Sequence, residues 1–228
     1  EIDFIVKPIV RVIKRGVLAS FSVNLDDTGV LVLDPTAPGG SRKGYIWIYH
    51  GADGDEVFEY TQARSGEGPA TFLKDYRGYV QADAASQHDG LFAEGSGRVE
   101  VGCFAHARRG FHDALSSDRQ LSLVAIEFIR RLYRIESEAK EAPPDSRLAL
   151  RKERSAPIIA EFEAWLIEKQ RTMLPKSPFA QAVRYSLNQW TALKRFLDYG
   201  RLPLDNNVSV RVLRRVAFGW IFCSFVCS

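Results

Sequence analysis

A run of strict alternation that ends on two carboxylates does most to limit what this chain can become. From Leu18 to Asp26, Ala19, Phe21, Val23 and Leu25 alternate with Ser20, Ser22 and Asn24. That is the period of a half-buried strand, and it delivers Asp26 and Asp27 at its end. The segment Gly78-Tyr79-Val80-Gln81-Ala82-Asp83 repeats the device, a short strand with an acid at its tip. Between the two, the pattern predicts a strand over Val30 to Leu33, a loop on Pro35, Pro38, Gly39 and Gly40, and a strand over Tyr45 to Tyr49. A turn at Asp53-Gly54-Asp55 and a strand from Val57 to Tyr60 complete an antiparallel meander. Pro69 to Tyr76 suits one short helix and Val99 to Cys103 a fifth strand, while Ile5 to Val17 reads as the tail of a helix.

From His106 onward the period changes to that of helices. Leu121, Val124, Phe128, Leu132 and Ile135 recur at steps of three and four beside Arg130, Arg131 and Arg134. Pro143-Pro144-Asp145-Ser146 marks a break and a helix start, with Ile158, Ile159, Phe162, Trp165 and Leu166 as the next apolar face. A third helix has Ser177 as cap and Pro178 in its first turn, carries Phe179, Val183, Leu187, Trp190 and Leu197, and closes at Gly200. Trp165 and Trp190 fall on apolar stripes and read as core residues. The expected organisation is a helical remnant over 1–17, the first part of an α/β core over 18–112, a helical insertion over 113–200, and a final core helix with an atypical tail over 201–228. Three strands, a helix, an acid-tipped strand and a further strand follow the element order of the ribonuclease-H-like fold, a mixed sheet core here carrying a helical insertion.

Charge is distributed unevenly along this frame. Residues 1–103 hold 10 Lys+Arg against 15 Asp+Glu and residues 104–228 hold 21 against 13, so the halves carry −5 and +8. A basic half can meet phosphates and an acidic half can collect divalent cations. No apolar run has the roughly 18 to 20 residues of a membrane span, and the first residues lack the basic flank of a signal peptide, so the expected location is cytoplasmic, with no membrane partner. Cys103, Cys223 and Cys227 are too few, and odd in number, for a disulfide framework and read as free thiols.

The most specific segments are LDDTGVLVLDP, GYIWIYHG, GYVQAD, CFAHARRGF, PKSPFAQAVRYSLNQW and RFLDYGRLPLDNN. In this order and spacing, from about Leu25 to Gly219, the chain resembles transposases of the bacterial insertion-sequence family conventionally numbered sixty-six, which are of the DDE type. The resemblance implies a ribonuclease-H-like core that cuts and joins double-stranded DNA, transposon ends and target, with Mg2+ or Mn2+, and that works in paired subunits. It implies that Asp26 and Asp83 are the first two catalytic, metal-holding acids, with Asp27 flanking them. Strand transfer needs an activated hydroxyl, a stabilised pentavalent phosphorus and a stabilised leaving oxygen. Two divalent ions roughly 4 Å apart, held by carboxylates, supply all three.

The third acid of such a site belongs on the helix after Asp205-Asn206-Asn207, in the sixth place of that block, and that place is Val210. A valine offers no lone pair to a hard cation, and the last Glu of the chain is Glu168. Asp205 lies about 140° around a helix from position 210 and some 7 Å along it, so its expected role is a helix cap. The tail from Trp220 to Ser228 is uncharged and aromatic where the family continues with a basic stretch, as a truncation or a frame shift would leave it.

Other residues carry weaker signals. Arg108 and Arg109, at the start of a helix, and Arg211, Arg214 and Arg215, which share a helix face beside the stripe Val208, Val212 and Val216, are candidate DNA contacts or ordinary solvated faces. Cys103, His106 and His112 supply too few ligands for zinc, and His50 and His88 belong to no visible constellation. The resulting expectation is a transposase impaired at Val210. A catalytically silent DNA-binding remnant or regulator, and a ribonuclease-H-like nuclease using water as nucleophile, are the alternatives.

Overall fold

The structure, a computed structural model, describes residues 2–84 and 86–213. It opens with helix α1, Ile2–Ala19, followed by strands β1 (Ser22–Leu33), β2 (Ser41–Gly51) and β3 (Glu56–Thr61). Helix α2 (Glu67–Phe72), strand β4 (Gly78–Gln81), a 3-10 segment (Ser86–Phe92) and strand β5 (Arg98–Val101) follow. The strands form one mixed sheet in the order β3-β2-β1-β4-β5, with β1, β2 and β3 antiparallel and β4 parallel to β1.

The helical half comprises α3 (Phe104–Asp113), α4 (Arg119–Glu138), α5 (Pro144–Leu150), α6 (Ala156–Thr172), α7 (Pro178–Asn188) and α8 (Trp190–Lys194). A last helix, α9, runs over 207–213. Two compact units result, one formed by residues up to Glu100 with those from Asn206 on, the other by Val101–Asp205.

The sheet unit departs from the sequence pattern at both ends of its first strand. Leu18 and Ala19 belong to α1, because Val17 is fully buried against the sheet and Ser20 closes the helix by donating its Oγ–H to the Gly16 carbonyl at 3.1 Å. At the other end β1 runs unbroken to Leu33, so Val30 to Leu33 is no separate strand but the continuation of the first. Its pairing with β2 is continuous from Val23–Gly51 to Leu33–Ser41. The hairpin closes on Gly39 and Gly40, whose φ values of 84° and 72° any side chain would strain, while Asp34 accepts from the Thr36 backbone and hydroxyl.

One face of the sheet buries Val23, Leu25, Trp47, Tyr49 and Val57 against Phe72, Leu73 and Tyr76, with the Tyr49 and Phe72 rings stacked at 3.6 Å. Each such large side chain contributes about 1.5–3 kcal/mol by leaving water. The opposite face sets Val30, Ile46 and Ile48 against Val208, Val212 and Leu213 of α9.

In the helical unit, Phe111, Phe128, Phe162, Trp165, Phe179 and Trp190 form one aromatic cluster, with Phe128 and Phe162 stacked at 4.9 Å and Trp190 edge-on to Phe162 at 5.5 Å. Both tryptophans thus serve the core. Asp118 caps α4 by accepting from Leu121 N, and Ser177 caps α7 by accepting from Ala180 N. The third helix of the sequence pattern is interrupted: α7 ends at Asn188 and α8 begins at Trp190, with Gln189 between them. Between α5 and α6 the chain passes through a π-type turn, Arg151–Ser155, that carries the buried Arg151 inward. Gly102 lets the chain enter this unit closely, since a Cβ there would meet Leu193 N at 2.7 Å.

Candidate active site

The register of two parallel strands brings the two predicted acids to one level. Ser22, Val23 and Asn24 pair with Tyr79, Val80 and Gln81, a constant offset of 57 positions (79 − 22, 80 − 23, 81 − 24). Asp26 and Asp83 have the same offset (83 − 26) and follow two residues beyond the last pair; Asp83 lies just past the end of β4, whereas Asp26, expected at a strand end, lies within β1, which continues to Leu33 because its pairing with β2 does. The register is pinned from inside, because the buried Asn24 donates its Nδ2–H to Gln81 Oε1 at 2.8 Å.

Alternation then separates the neighbours Asp26 and Asp27, since successive side chains of a strand point to opposite faces. Asp26 pairs across the hairpin with Ile48, on the face that α9 covers. Asp27 pairs with Trp47, on the face of Leu25 and Tyr49, and its backbone N–H donates to Asp26 Oδ1 at 2.9 Å.

The Asp27 side chain is only 4% exposed, and it is gripped by Arg64 from the loop between β3 and α2. Arg64 Nε donates to Oδ2 at 2.8 Å and Nη2 to Oδ1 at 3.0 Å, the two-pronged geometry that fits a guanidinium to a carboxylate. The same Nη2 lies 3.9 Å from Asp83 Oδ2. These contacts, the hydrogen bonds to Asp27 first, raise the guanidinium pKa above its ordinary value.

Asp83 is held from its other side by His88, whose Nδ1 lies 3.0 Å from both Asp83 Oδ1 and the Asp83 carbonyl. His88 is buried and edge-on to Trp47. Burial is the largest single influence on its imidazole and pulls the pKa down, but the Asp83 hydrogen bonds and charge outweigh it, and the net shift is upward. Gln87 Nε2 approaches Asp27 Oδ1 at 3.5 Å.

The segment that should bring the third acid is anchored beside Asp26. Asn206 is buried and donates its Nδ2–H to the Leu25 carbonyl at 2.8 Å, so α9 starts against the residue preceding Asp26. Val210 N donates to Asn206 O at 3.4 Å, which puts Val210 one helical turn beyond that anchor. Asp205 receives the Tyr133 hydroxyl on Oδ2 at 2.5 Å, a contact within the helical unit. Burial foremost, and then Asp205, keep that hydroxyl protonated.

The basic candidates are less organised. Arg108 and Arg109 are exposed on α3 and Arg211 is exposed on α9, whereas Arg214 and Arg215 lie outside the described residues, as do Val216, Cys223, Cys227 and the tail. Cys103 is a buried cysteine outside any disulfide, at the start of α3. Arg64, Gln87, His88 and Asn206 are the site residues that sequence reasoning missed. Only Asn206 had a signal to offer, its place in the block before the final helix.

A divalent cation of the Mg2+ or Mn2+ kind requires hard oxygen donors. Asp26 and Asp83 supply that chemistry at two places; the third is a valine, and Asp27 is closed around a guanidinium. Among the described residues no group of three or more His, Cys, Asp or Glu side chains is placed to hold a metal ion. The donor set therefore does not fit a two-metal centre. Among the same residues no helix is long and apolar enough to cross a membrane.

Comparison with known proteins adds an independent observation. A DDE-type family model described as "Transposase IS66 family" matches residues 2–226. Three uncharacterized proteins of Sinorhizobium fredii (strain NBRC 101917 / NGR234) are similar. The chain is 27% identical to y4hP over 94% of its own length, 32% to y4qI over 83% and 30% to y4jD over 69%. These stretches span 43%, 38% and 32% of the three relatives, so the chain corresponds to less than half of each.

Proposed function

The chain belongs to the Transposase IS66 family, and from that premise we propose that it is the catalytic-core portion of an insertion-sequence transposase, crippled for cutting and joining DNA strands. The observation that carries this reading is Val210, one turn beyond the Asn206 anchor on Leu25. Side chains of a helix lean toward its N-terminus. A glutamate at 210 would therefore project its carboxylate back toward Asn206 and its anchor on Leu25 of β1, where valine projects two methyl groups. Without that carboxylate, Asp26 and Asp83 are left to offer oxygen at two places only.

A ribonuclease-H-like core is part of the proposal. It is supported by the element order, three antiparallel strands, a helix, a parallel strand ending before Asp83 and a further strand. Divalent-metal use belongs to the DDE type as a whole; in this chain the acids that would serve it are Asp26 and Asp83. Double-stranded DNA is the proposed partner, with Arg108, Arg109 and Arg211 as exposed phosphate contacts and Arg214 and Arg215 continuing the basic sequence. Subunit pairing belongs to the same reading.

The test is strand transfer from a pre-cleaved transposon-end duplex in Mn2+. The natural sequence should give no product above background. Val210→Glu should raise the yield by more than the roughly 10- to 100-fold that even the outer partners of a metal are worth. Robust transfer by the natural sequence would overturn the proposal. A second reading, a silent DNA-binding remnant, is favoured by the guanidinium between Asp27 and Asp83. It expects Val210→Glu to leave activity at background, while gel-shift affinity falls steeply and linearly on logarithmic axes as salt rises.

A further inference from the structure

Resting on the reading of double-stranded DNA as the partner, we infer that the outer end of the β1–β2 hairpin is a DNA-contacting element of its own, a two-stranded ribbon that enters the major groove of the duplex. The ribbon begins where the other strands stop. β4 meets β1 only from Ser22 to Asn24, and β3 meets β2 only from Tyr45 to His50. The pairs Val30–Gly44, Leu31–Lys43, Val32–Arg42 and Leu33–Ser41 lie beyond both, with no third strand beside them among the described residues. Their turn stands in open space, since a Cβ at Gly39 or Gly40 would meet no atom outside its chain neighbours within 4 Å.

What the ribbon shows to solvent is apolar surface bordered by positive charge. Leu31 and Leu33 are 77% and 88% exposed, and as alternate residues of one strand they share a face. Lys43 sits across from Leu31 on that face, in space that Gly29 leaves open: a Cβ at Gly29 would meet Lys43 Cε at 3.2 Å, and the ammonium lies 5.4 Å from the centre of the Tyr45 ring. Arg42, on the other face, has a side chain 43% exposed. Its partner Asp34, the only acid from Thr28 to Ile46, is turned inward at 17% and takes two hydrogen bonds from Thr36. The ribbon thus directs its cations outward and folds its acid into the turn, in a half of the sequence that holds 10 Lys+Arg against 15 Asp+Glu. A DNA duplex complements both features. Its major groove admits a two-stranded ribbon, phosphates border the groove, and thymine methyl groups on its floor accept apolar side chains.

The experiment measures binding of the full chain to a fluorescein-labelled transposon-end duplex by anisotropy, from roughly 50 to 200 mM salt, with light scattering to give the mass of the free protein. The variants are Lys43→Gln and the pair Leu31→Ser with Leu33→Ser. All three side chains are exposed, so the thermal unfolding midpoint should stay where it is in the natural sequence. Lys43→Gln should make the fall of log affinity with log salt shallower by about 0.9, the loss of one phosphate contact. The leucine pair should weaken binding about tenfold at every salt concentration and leave the slope unchanged, because an apolar contact releases no counter-ions. Unchanged affinity and slope in both variants overturn the ribbon inference and leave the reading of DNA as partner intact, provided the natural sequence binds. A leucine variant that lowers the mass of the free protein and keeps its DNA affinity assigns the ribbon to an interface between protein chains, which overturns the inference equally. No binding by the natural sequence at any salt overturns the reading of DNA as partner, and the inference with it.

Discussion

Among the described residues four arginines grip a carboxylate with both prongs, and two of them, one in each compact unit, bury one partner of the pair, the opposite one in each case. Arg151, in the π-type turn of the helical unit, is 1% exposed; it holds Glu136 at 2.7 and 2.6 Å, donates to the carbonyls of Phe196 and Tyr199, and lies over the Phe196 ring. Arg64 of the sheet unit leaves nearly half of its side chain in water, and it is the acid, Asp27, that is sealed. Where the cation is buried among fixed carbonyls, the pair is an element of the fold. Where the anion is buried and the cation enters from a loop, the pair ties that loop to the strand.

Substitutions can break this contrast, beginning with the largest expected effect. Arg151→Met should cost about 3–5 kcal/mol in urea unfolding, because it leaves the Glu136 carboxylate and two carbonyls without their donor; a loss below 1 kcal/mol would mean the cluster is merely packed. Asn206→Ala, which deserts the buried Leu25 carbonyl, should cost about 1–3 kcal/mol in the same measurement. Arg64→Ala should cost about 1–2 kcal/mol, since water can enter beside Asp27 and screening already weakens the contact. If it costs as much as Arg151→Met, the distinction between a buried and a half-exposed cation collapses. Glu127→Gln, which breaks the exposed pair with Arg130, should leave the unfolding midpoint unchanged within error.

The parts of this fold legible in the sequence are those written in local periodicity. Alternation located the β1 core residues, and Ser177, read as a cap before an apolar helical stripe, does accept from Ala180 N. Boundaries were lost where tertiary packing prevailed over pattern. Leu18 and Ala19 alternate like a strand but continue α1 because Val17 is seated in the core, and Gln189 divides a stripe that looks continuous from Phe179 to Leu197. The surroundings of the acids were the least legible. Arg64 meets Asp27 across 37 positions, and no spacing rule links a loop arginine to a distant strand residue. His88 seemed isolated because its partner, Asp83, is reached only through the turn that follows β4. Val210, by contrast, stood out from the sequence alone, since the expectation of an acid at that place needs no geometry.

The helical unit also has a topological consequence. Its first residues and its last are stitched together: Gly102 N donates to Ala192 O at 2.9 Å and Phe104 N to Leu204 O at 3.2 Å. An excursion that returns to its point of departure imposes little closure entropy on its host beyond that of a short connection, whatever its length. Such a segment has the character of a cassette. Its length and composition can drift, or the whole of it can be exchanged for a tight turn, while the register that sets Asp26 level with Asp83 stays in place.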